Sequence, residues 1–467
     1  MPPASGAMSA NAGNRLDRLP MSGWHYRLVA LVTAGMFVDL FELYSGGSIL
    51  AALVQEGWST MSVNATFLSV TFLGLLIGSW FAGVLGDRYG RRFCYQLNFA
   101  IFGVASLAAA FAPHMTVLIG LRFVMGLGLG AEVVVGYATL AEFLPAKNRG
   151  RWVALMAMIA NFASFVSLVI AYYVIPAVGW RYMFAIPGIA ALLIWQARRS
   201  MPESPRWLES VGRIEEADQV LSEIEARVAA SGPLPEAAPP APVRSQEPIS
   251  SAVLFSRPVL RRTLIGILIN ITVGFTLYGF LQWLPTIFVQ QGMTLGSSLQ
   301  IVMVMTVGKV VGAGAGVVLT DWVGRKPSIT LFALLSSLLG IALIFTQGDA
   351  FIATSFVLAV ALGVTNTIAY TVYVPELFET RYRLRGTGLC GAAGRLATSA
   401  VQFLVVYLYA NGGLAAIVSM LAGLLVIEAI AVQLFGPETK QVSLEQAASQ
   451  TPELVPERAL SVVPNKS

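Results

Sequence analysis

GVLGDRYGRR, Gly83 to Arg92, sits where one apolar run stops and the next begins, and it returns as GVVLTDWVGRK, Gly316 to Lys326. Asp87 and Asp321 lie 234 residues apart. EFLPAKNRGR (Glu142 to Arg151) returns as ELFETRYRLR (Glu376 to Arg385), and Glu142–Glu376, Arg149–Arg383 and Arg151–Arg385 keep the same 234-residue offset. Four pairs at one offset mark a duplicated unit. That unit is a bundle of apolar helices joined by basic turns.

The 467 residues are 56% hydrophobic and only 12% charged. Soluble domains carry about twice that charge, so the chain reads as an integral membrane protein. Its net charge of +5 is held in short loops, where it reports topology, and no nucleic-acid partner is expected. Cys94 and Cys390 lie on apolar stretches in opposite halves and read as small core residues, with neither disulfide nor metal spacing. No cofactor and no metal site is expected. His25 and His114 fall at helix ends and read as interface residues.

A helix crosses the bilayer with about 20 apolar residues. Twelve such runs are predicted, at 27–52, 65–86, 94–112, 115–142, 153–176, 180–198, 262–289, 297–320, 328–346, 350–376, 386–410 and 413–435. They define an N-terminal segment (1–26), a six-helix bundle (27–198), a linker (199–260), a second six-helix bundle (261–436) and a tail (437–467). The first 24 residues lack an apolar core and a cleavage site, which excludes a signal peptide. In the linker, Ile214 to Val228 reads as an amphipathic surface helix, and PLPEAAPPAPVRSQEP reads as a mobile spacer. The tail is polar and aperiodic.

Lys and Arg set orientation. Eleven of them occupy the loops after runs two, four, eight and ten, whereas the opposite loops hold only Arg181. Both termini are therefore expected in the cytoplasm.

The loop Gly83-x-x-x-Asp87-Arg88-x-Gly90-Arg91-Arg92 resembles the cytoplasmic signature of the major facilitator superfamily. Pro202-Glu203-Ser204-Pro205-Arg206 and Pro437-Glu438-Thr439-Lys440 resemble its sugar-porter-like branch, which includes aromatic-acid and niacin transporters, vertebrate organic ion transporters and synaptic vesicle glycoproteins. RFVMGLGLGAE (Arg122 to Glu132) and YGFLQWLP (Tyr278 to Pro285) are most similar to bacterial niacin transporters. The resemblance covers about 25–440. It implies a membrane carrier of two six-helix halves that rock about a midplane site. It also implies a cytoplasmic gate of Gly83, Asp87, Arg88, Gly90, Arg91, Glu142 and Arg149, repeated as Asp321, Arg325, Glu376 and Arg383. Trp322 replaces the basic residue expected after Asp321, which makes that copy the weaker lock. The plain alternative is that the arginines only enforce topology.

Charges inside a membrane are costly and are functional candidates by default. Seven lie within the runs: Asp39, Glu42, Arg122, Glu132, Lys309, Arg395 and Glu428. Asp39 and Glu42 share a helical face. Two close carboxylates in a low dielectric do not both ionise cheaply, so one is expected to hold a proton. Aromatic-acid symporters resemble this spacing. Otherwise both pair with Arg122, itself the expected partner of the first-run carboxylates. Arg122 and Glu132 lie nearly three turns apart and roughly share a face. GLGLG, Gly126 to Gly130, reads as a close helix contact and not as a phosphate loop.

The repeat sorts these charges. Arg395 maps onto Asn161, Glu132 onto Asn366 and Lys309 onto Leu75. Polar residues without a twin are better substrate candidates than those shared by both halves. Lys309 and Arg395 suit a carboxylate, the guanidinium gripping it bidentately. Vertebrate organic anion transporters resemble this, with the contexts Gly308-Lys309 and Gly394-Arg395. Tyr44, Tyr278, Trp283, Tyr370 and Tyr373 are candidates to hold a planar ring, although most membrane aromatics pack or anchor.

The reading is an all-α membrane protein of twelve helices, not an enzyme, that imports a small organic anion by proton symport. Nicotinate leads, and benzoate-type acids follow. Substrate, protons and the bilayer are its partners, a monomer its expected state, and a bacterial inner membrane its expected location. A sugar or organic cation carrier and an exporter of organic ions stay open; a receptor is disfavoured by the short outer loops.

Overall fold

A computed structural model describes residues 10–230, 232–236, 251–379 and 382–439. The spacer from 237 to 250, Arg381 and the tail beyond 439 lie outside these residues. So does the side chain of Asp321. All regular structure among the described residues is helical.

Helix α1 (Ala12–Asp17) precedes the first six spans: α2 (Gly23–Gln55), α3 (Met61–Tyr89), α4 (Arg91–Ala110), α5 (Met115–Phe143), α6 (Ala146–Val178) and α7 (Tyr182–Arg198). Two connector helices follow, α8 (Pro205–Ser210) and α9 (Ile214–Ala229). The second set comprises α10 (Arg257–Gly274), α11 (Leu284–Gln290), α12 (Leu295–Trp322), α13 (Arg325–Leu343), α14 (Gly348–Asn366), α15 (Val374–Glu376) and α16 (Arg383–Phe435). Gly413, at φ 62°, bends α16 into the two predicted final spans. With that bend, and with the shorter α7, the twelve predicted runs are all helical. Most overshoot their predicted ends by several residues. At about 1.5 Å per residue, a 33-residue helix such as α2 outreaches a bilayer core.

Two spans depart from regular helix. Phe275–Leu281 joins α10 to α11 as a π-helix, and Thr367–Tyr373 joins α14 to α15 in the same way. Such turns carry one extra residue and re-aim the side chains beyond them. Both fall where the sequence placed its aromatic candidates.

The chain packs as two compact units: Met1–Ser245 with Leu277–Val307 and Arg395–Ile417, and Gln246–Thr276 with Gly308–Gly394 and Val418–Ser467. In the first, glycines let α3 and α5 touch: a Cβ on Gly74 would meet the Phe123 carbonyl at 2.6 Å, and one on Gly126 the Thr71 carbonyl at 2.7 Å. This is the close approach expected of GLGLG. Gly74 and Gly78 recur as Gly308 and Gly312 at the repeat offset, and in the second unit Gly308 packs on the Phe356 carbonyl of α14. The scaffold contacts are therefore duplicated.

The expected surface helix is α9, which buries Ala217, Leu221, Ile224 and Val228. The N-terminal segment is more structured than its composition suggests. Arg15 pairs with Glu225 at 2.7 Å, and Asp17 bridges Arg149 at 3.0 Å and Arg206 at 2.9 Å. His25 lies in the first turn of α2 and is fully buried against the Ser22 hydroxyl. Cys94 and Cys390 are buried thiols, as expected.

Candidate functional site

Three carboxyls and two guanidiniums meet inside the first unit. Glu42 pairs with Arg122, both fully buried. Arg122 also donates to the Thr71 hydroxyl at 2.9 Å and lies over the Phe67 ring. Glu132, further along α5, pairs with Arg198 of α7 at 2.7 Å. Arg198 further grips the Leu31 and Val32 carbonyls and covers Phe99. Gly35 makes room for it, since a Cβ there would collide with the guanidinium. Asp39 sits on α2 between these two pairs, in electrostatic reach of Glu132, Arg198 and Glu42. Its Oδ2 is buried without a hydrogen-bond partner. The alternative in which both α2 carboxylates bind Arg122 thus holds for Glu42 alone.

A second group of candidates joins the far segments of the repeat to the first six spans, still within the first unit. Arg395 on α16 donates from Nη1 to the Ser79 hydroxyl at 2.8 Å. Ser79 in turn donates to the Leu75 and Gly130 carbonyls. Among the described residues, no carboxylate pairs with Arg395. One helical turn further, the Ser399 and Ser69 hydroxyls meet at 2.7 Å. Tyr44 and Tyr278 stack with centroids 6.3 Å apart, and Phe72 tilts against Tyr278 at 4.6 Å. Gln282 donates its amide to the Leu43 carbonyl at 3.1 Å.

Other candidates are placed elsewhere. Trp283 is buried and donates to the Gln402 side chain at 2.8 Å, so its ring packs. Tyr373 is buried and donates to the Pro437 carbonyl at 2.8 Å, which makes it a post for the start of the tail. Asn161 turns its amide back to its own helix at Ala157. In the second unit, Lys309 is half-buried and Tyr370 is exposed, while the Asn366 amide nitrogen is buried without a partner. Glu428 is buried there and meets Thr272 of α10.

The basic loops form the same bonds twice. Arg91 donates to Glu142 at 2.9 Å and to the Gly86 carbonyl at 2.6 Å; Arg325 donates to Glu376 at 3.2 Å and to the Thr320 carbonyl at 3.1 Å. Arg149 reaches the Leu144 carbonyl at 3.2 Å, and Arg383 the Phe378 carbonyl at 3.2 Å. Asp87 meets Arg91 at 3.1 Å, but its side chain is 81% exposed. Arg88 lies over the Tyr89 ring and Gly83 has open space beside it, so neither joins the network.

A carboxylate missed as a contact closes each loop. Glu203 accepts the backbone N–H groups of Arg91 and Arg92, and Glu438 those of Arg325 and Lys326. Each carboxylate caps the N-terminus of a helix, where the backbone dipole favours negative charge. Burial pushes the Glu203 carboxyl above the ordinary carboxylate range, and its backbone N–H donors draw it back. Gly90 and Gly324 adopt φ 93° and 113°, which L side chains rarely adopt.

Residues 21–450 match the family described as "Sugar (and other) transporter". Over 446 residues the chain is 36% identical to the inner membrane metabolite transport protein YdjE of Escherichia coli, covering 93% of this chain and 97% of that protein. It is 30% identical to the niacin transporter NiaP of Acinetobacter baylyi, covering 92% and 98%. Its fold matches the inward-open structure of the E. coli xylose transporter XylE with a TM-score of 0.71 at 18% identity, covering 92% of this chain and all of the other.

Proposed function

Since the chain belongs to the sugar (and other) transporter family of the major facilitator superfamily, we propose that it imports a small aromatic carboxylate together with protons. Nicotinate is the leading substrate and benzoate-type acids come next. One observation carries this reading. Arg395 holds a positive charge within the membrane-spanning region, and among the described residues it donates to a neutral hydroxyl and to no carboxylate. Arg122 and Arg198, by contrast, are each neutralised by a glutamate. A charge left this way calls for an anion. A substrate carboxylate beside Ser79 supplies it through two parallel N–H donors. The stacked pair of Tyr44 and Tyr278 offers a planar surface for a ring.

Proton coupling rests on a count. Asp39, Glu42 and Glu132 face two guanidiniums, so one carboxyl exceeds the available positive charge. Asp39, whose Oδ2 lacks a partner, is the group that takes up and releases the proton. The duplicated loop networks act as locks on the cytoplasmic side, with both termini in the cytoplasm and the carrier in a bacterial inner membrane.

Uptake of labelled nicotinate into proteoliposomes tests this, with and without an inward proton gradient and with benzoate, glucose and an organic cation as competitors. Gradient-driven uptake blocked only by aromatic acids is expected. Flux of glucose or the cation in place of nicotinate assigns Arg395 to the scaffold and overturns the substrate.

A further inference from the structure

On the side of the basic loops, the first unit holds a cavity of about 490 Å³, between the chain that follows α7 and the face of α9. Arg92, Arg199, Arg213 and Arg227 line it. Arg27 lines a smaller cleft that shares Trp24, Ser200 and Arg227 with it. Five guanidiniums therefore surround one opening. Arg213 pairs with Glu216. The other four form no ion pair among the described residues. Arg27 donates to the Ser200 hydroxyl at 3.3 Å, Arg92 donates to the Arg199 carbonyl at 3.1 Å, and Arg199 stacks on Trp195 at 4.0 Å. Of the lining acids, Glu216 is paired with Arg213, and Glu203, whose oxygens accept backbone N–H groups, and Glu223 keep their charge. Four cations against two carboxylates leave a local excess of positive charge.

Like charges gathered around a concavity repel one another until an anion joins them. Arginine suits phosphate, because its fork matches two phosphate oxygens. The volume lies in the range of ligand sites, about 300–1,000 Å³. We propose that this cavity is a phosphate-binding site, filled by the phosphodiester of an anionic phospholipid headgroup or by a soluble phosphomonoester. The lipid source is favoured by the walls of the smaller cleft. Trp24, Leu28 and Leu31 give it an apolar side on a membrane-spanning helix, and basic pockets at such helix ends take lipid headgroups. A bound phosphate would tie α9 to the end of α7 and to the loop that Glu203 caps.

The test uses the full chain purified in detergent, titrated separately with dihexanoyl phosphatidylglycerol, glycerol 3-phosphate and, as the zwitterionic control, dihexanoyl phosphatidylcholine. The paired substitution Arg199→Gln and Arg227→Gln removes two exposed charges. It is expected to weaken the phosphate ligand about thirtyfold while the phosphatidylcholine signal stays unchanged. The pair Arg199→Lys and Arg227→Lys is expected to recover most of that loss. Binding of phosphatidylglycerol alone assigns the lipid; binding of glycerol 3-phosphate as well, or alone, assigns a soluble phosphate. Failure of both phosphate probes to bind, or equal binding to wild type and the Gln pair, overturns the site.

Discussion

Arg395 and Ser79 stand 316 positions apart in the chain and meet at 2.8 Å, guanidinium to hydroxyl. Residues from opposite ends of the duplicated sequence thus share one polar contact within a single compact unit. Arg395→Gln keeps a donor for Ser79 and removes the charge. Nicotinate affinity is expected to fall by at least about tenfold, the loss of one charge-assisted hydrogen bond. Arg395→Lys should retain part of it. Titration of the purified variants reads this directly, and equal affinity for Gln and wild type removes the anion site.

Asp39→Asn imitates the protonated carboxyl and leaves both ion pairs intact. Gradient-driven accumulation should be lost while nicotinate exchange across equilibrated vesicles persists. If vesicles carrying the Asp39→Asn variant still concentrate substrate under a pH gradient, the proton is carried elsewhere.

Glu42→Gln is expected to behave differently, because it strands the Arg122 guanidinium in the interior. Breaking one partner of a buried pair costs about 3–5 kcal/mol. The variant should melt well below wild type or fail to accumulate in the membrane. For the second pair, Glu132→Gln and Arg198→Gln should each be costly alone and less than additive together. Melting curves for the single and double variants measure that coupling.

In the loop network, Glu142 is expected to matter more than Asp87. The Asp87 carboxylate is 81% exposed, and exposed pairs contribute about 0–1 kcal/mol. Glu142 and Arg91 are each less than one-fifth exposed. Glu142→Gln should therefore raise the labelling of an engineered cytoplasmic-side cysteine more than Asp87→Asn does. The reverse order would sink the ranking.

Gly90→Ala and Gly324→Ala are expected to destabilise the protein by about 1–3 kcal/mol each, through backbone strain at positive φ. In Gly90→Ala the new methyl also collides with the Glu203 carboxylate. Thermal unfolding in detergent should show both losses.

Much of the fold was legible because membrane helices announce themselves by composition, and because a 234-residue echo fixes the two sets of six. The pairing of Glu42 with Arg122 was legible too, since charges stand out in apolar runs. Arg198 was not. It adjoins Arg199 at the end of a run, where such a doublet reads as a topology signal, and only packing shows that one of the two turns inward. The burial of Trp283 and Tyr373 was not legible for a related reason: a ring that packs and a ring that binds are the same residue type in the sequence. The π-helical turns leave no periodic signature, because one inserted residue shifts a face without changing its composition. Helix α1 is held by ion pairs to residues near 150 and beyond 200, which local pattern cannot reveal.

The carboxylates that finish the two basic loops come late in the chain. Glu203 trails Arg91 by 112 residues, and Glu438 trails Arg325 by 113. A ribosome therefore releases each loop open-ended, and the loop stays so until the last helix of its half has emerged. Each glutamate acts as a completion mark in biosynthesis, the second arriving only after the last helix of its half. Nascent chains halted before residue 203 should expose the 90–92 turn to protease, and chains halted well past it should protect the turn.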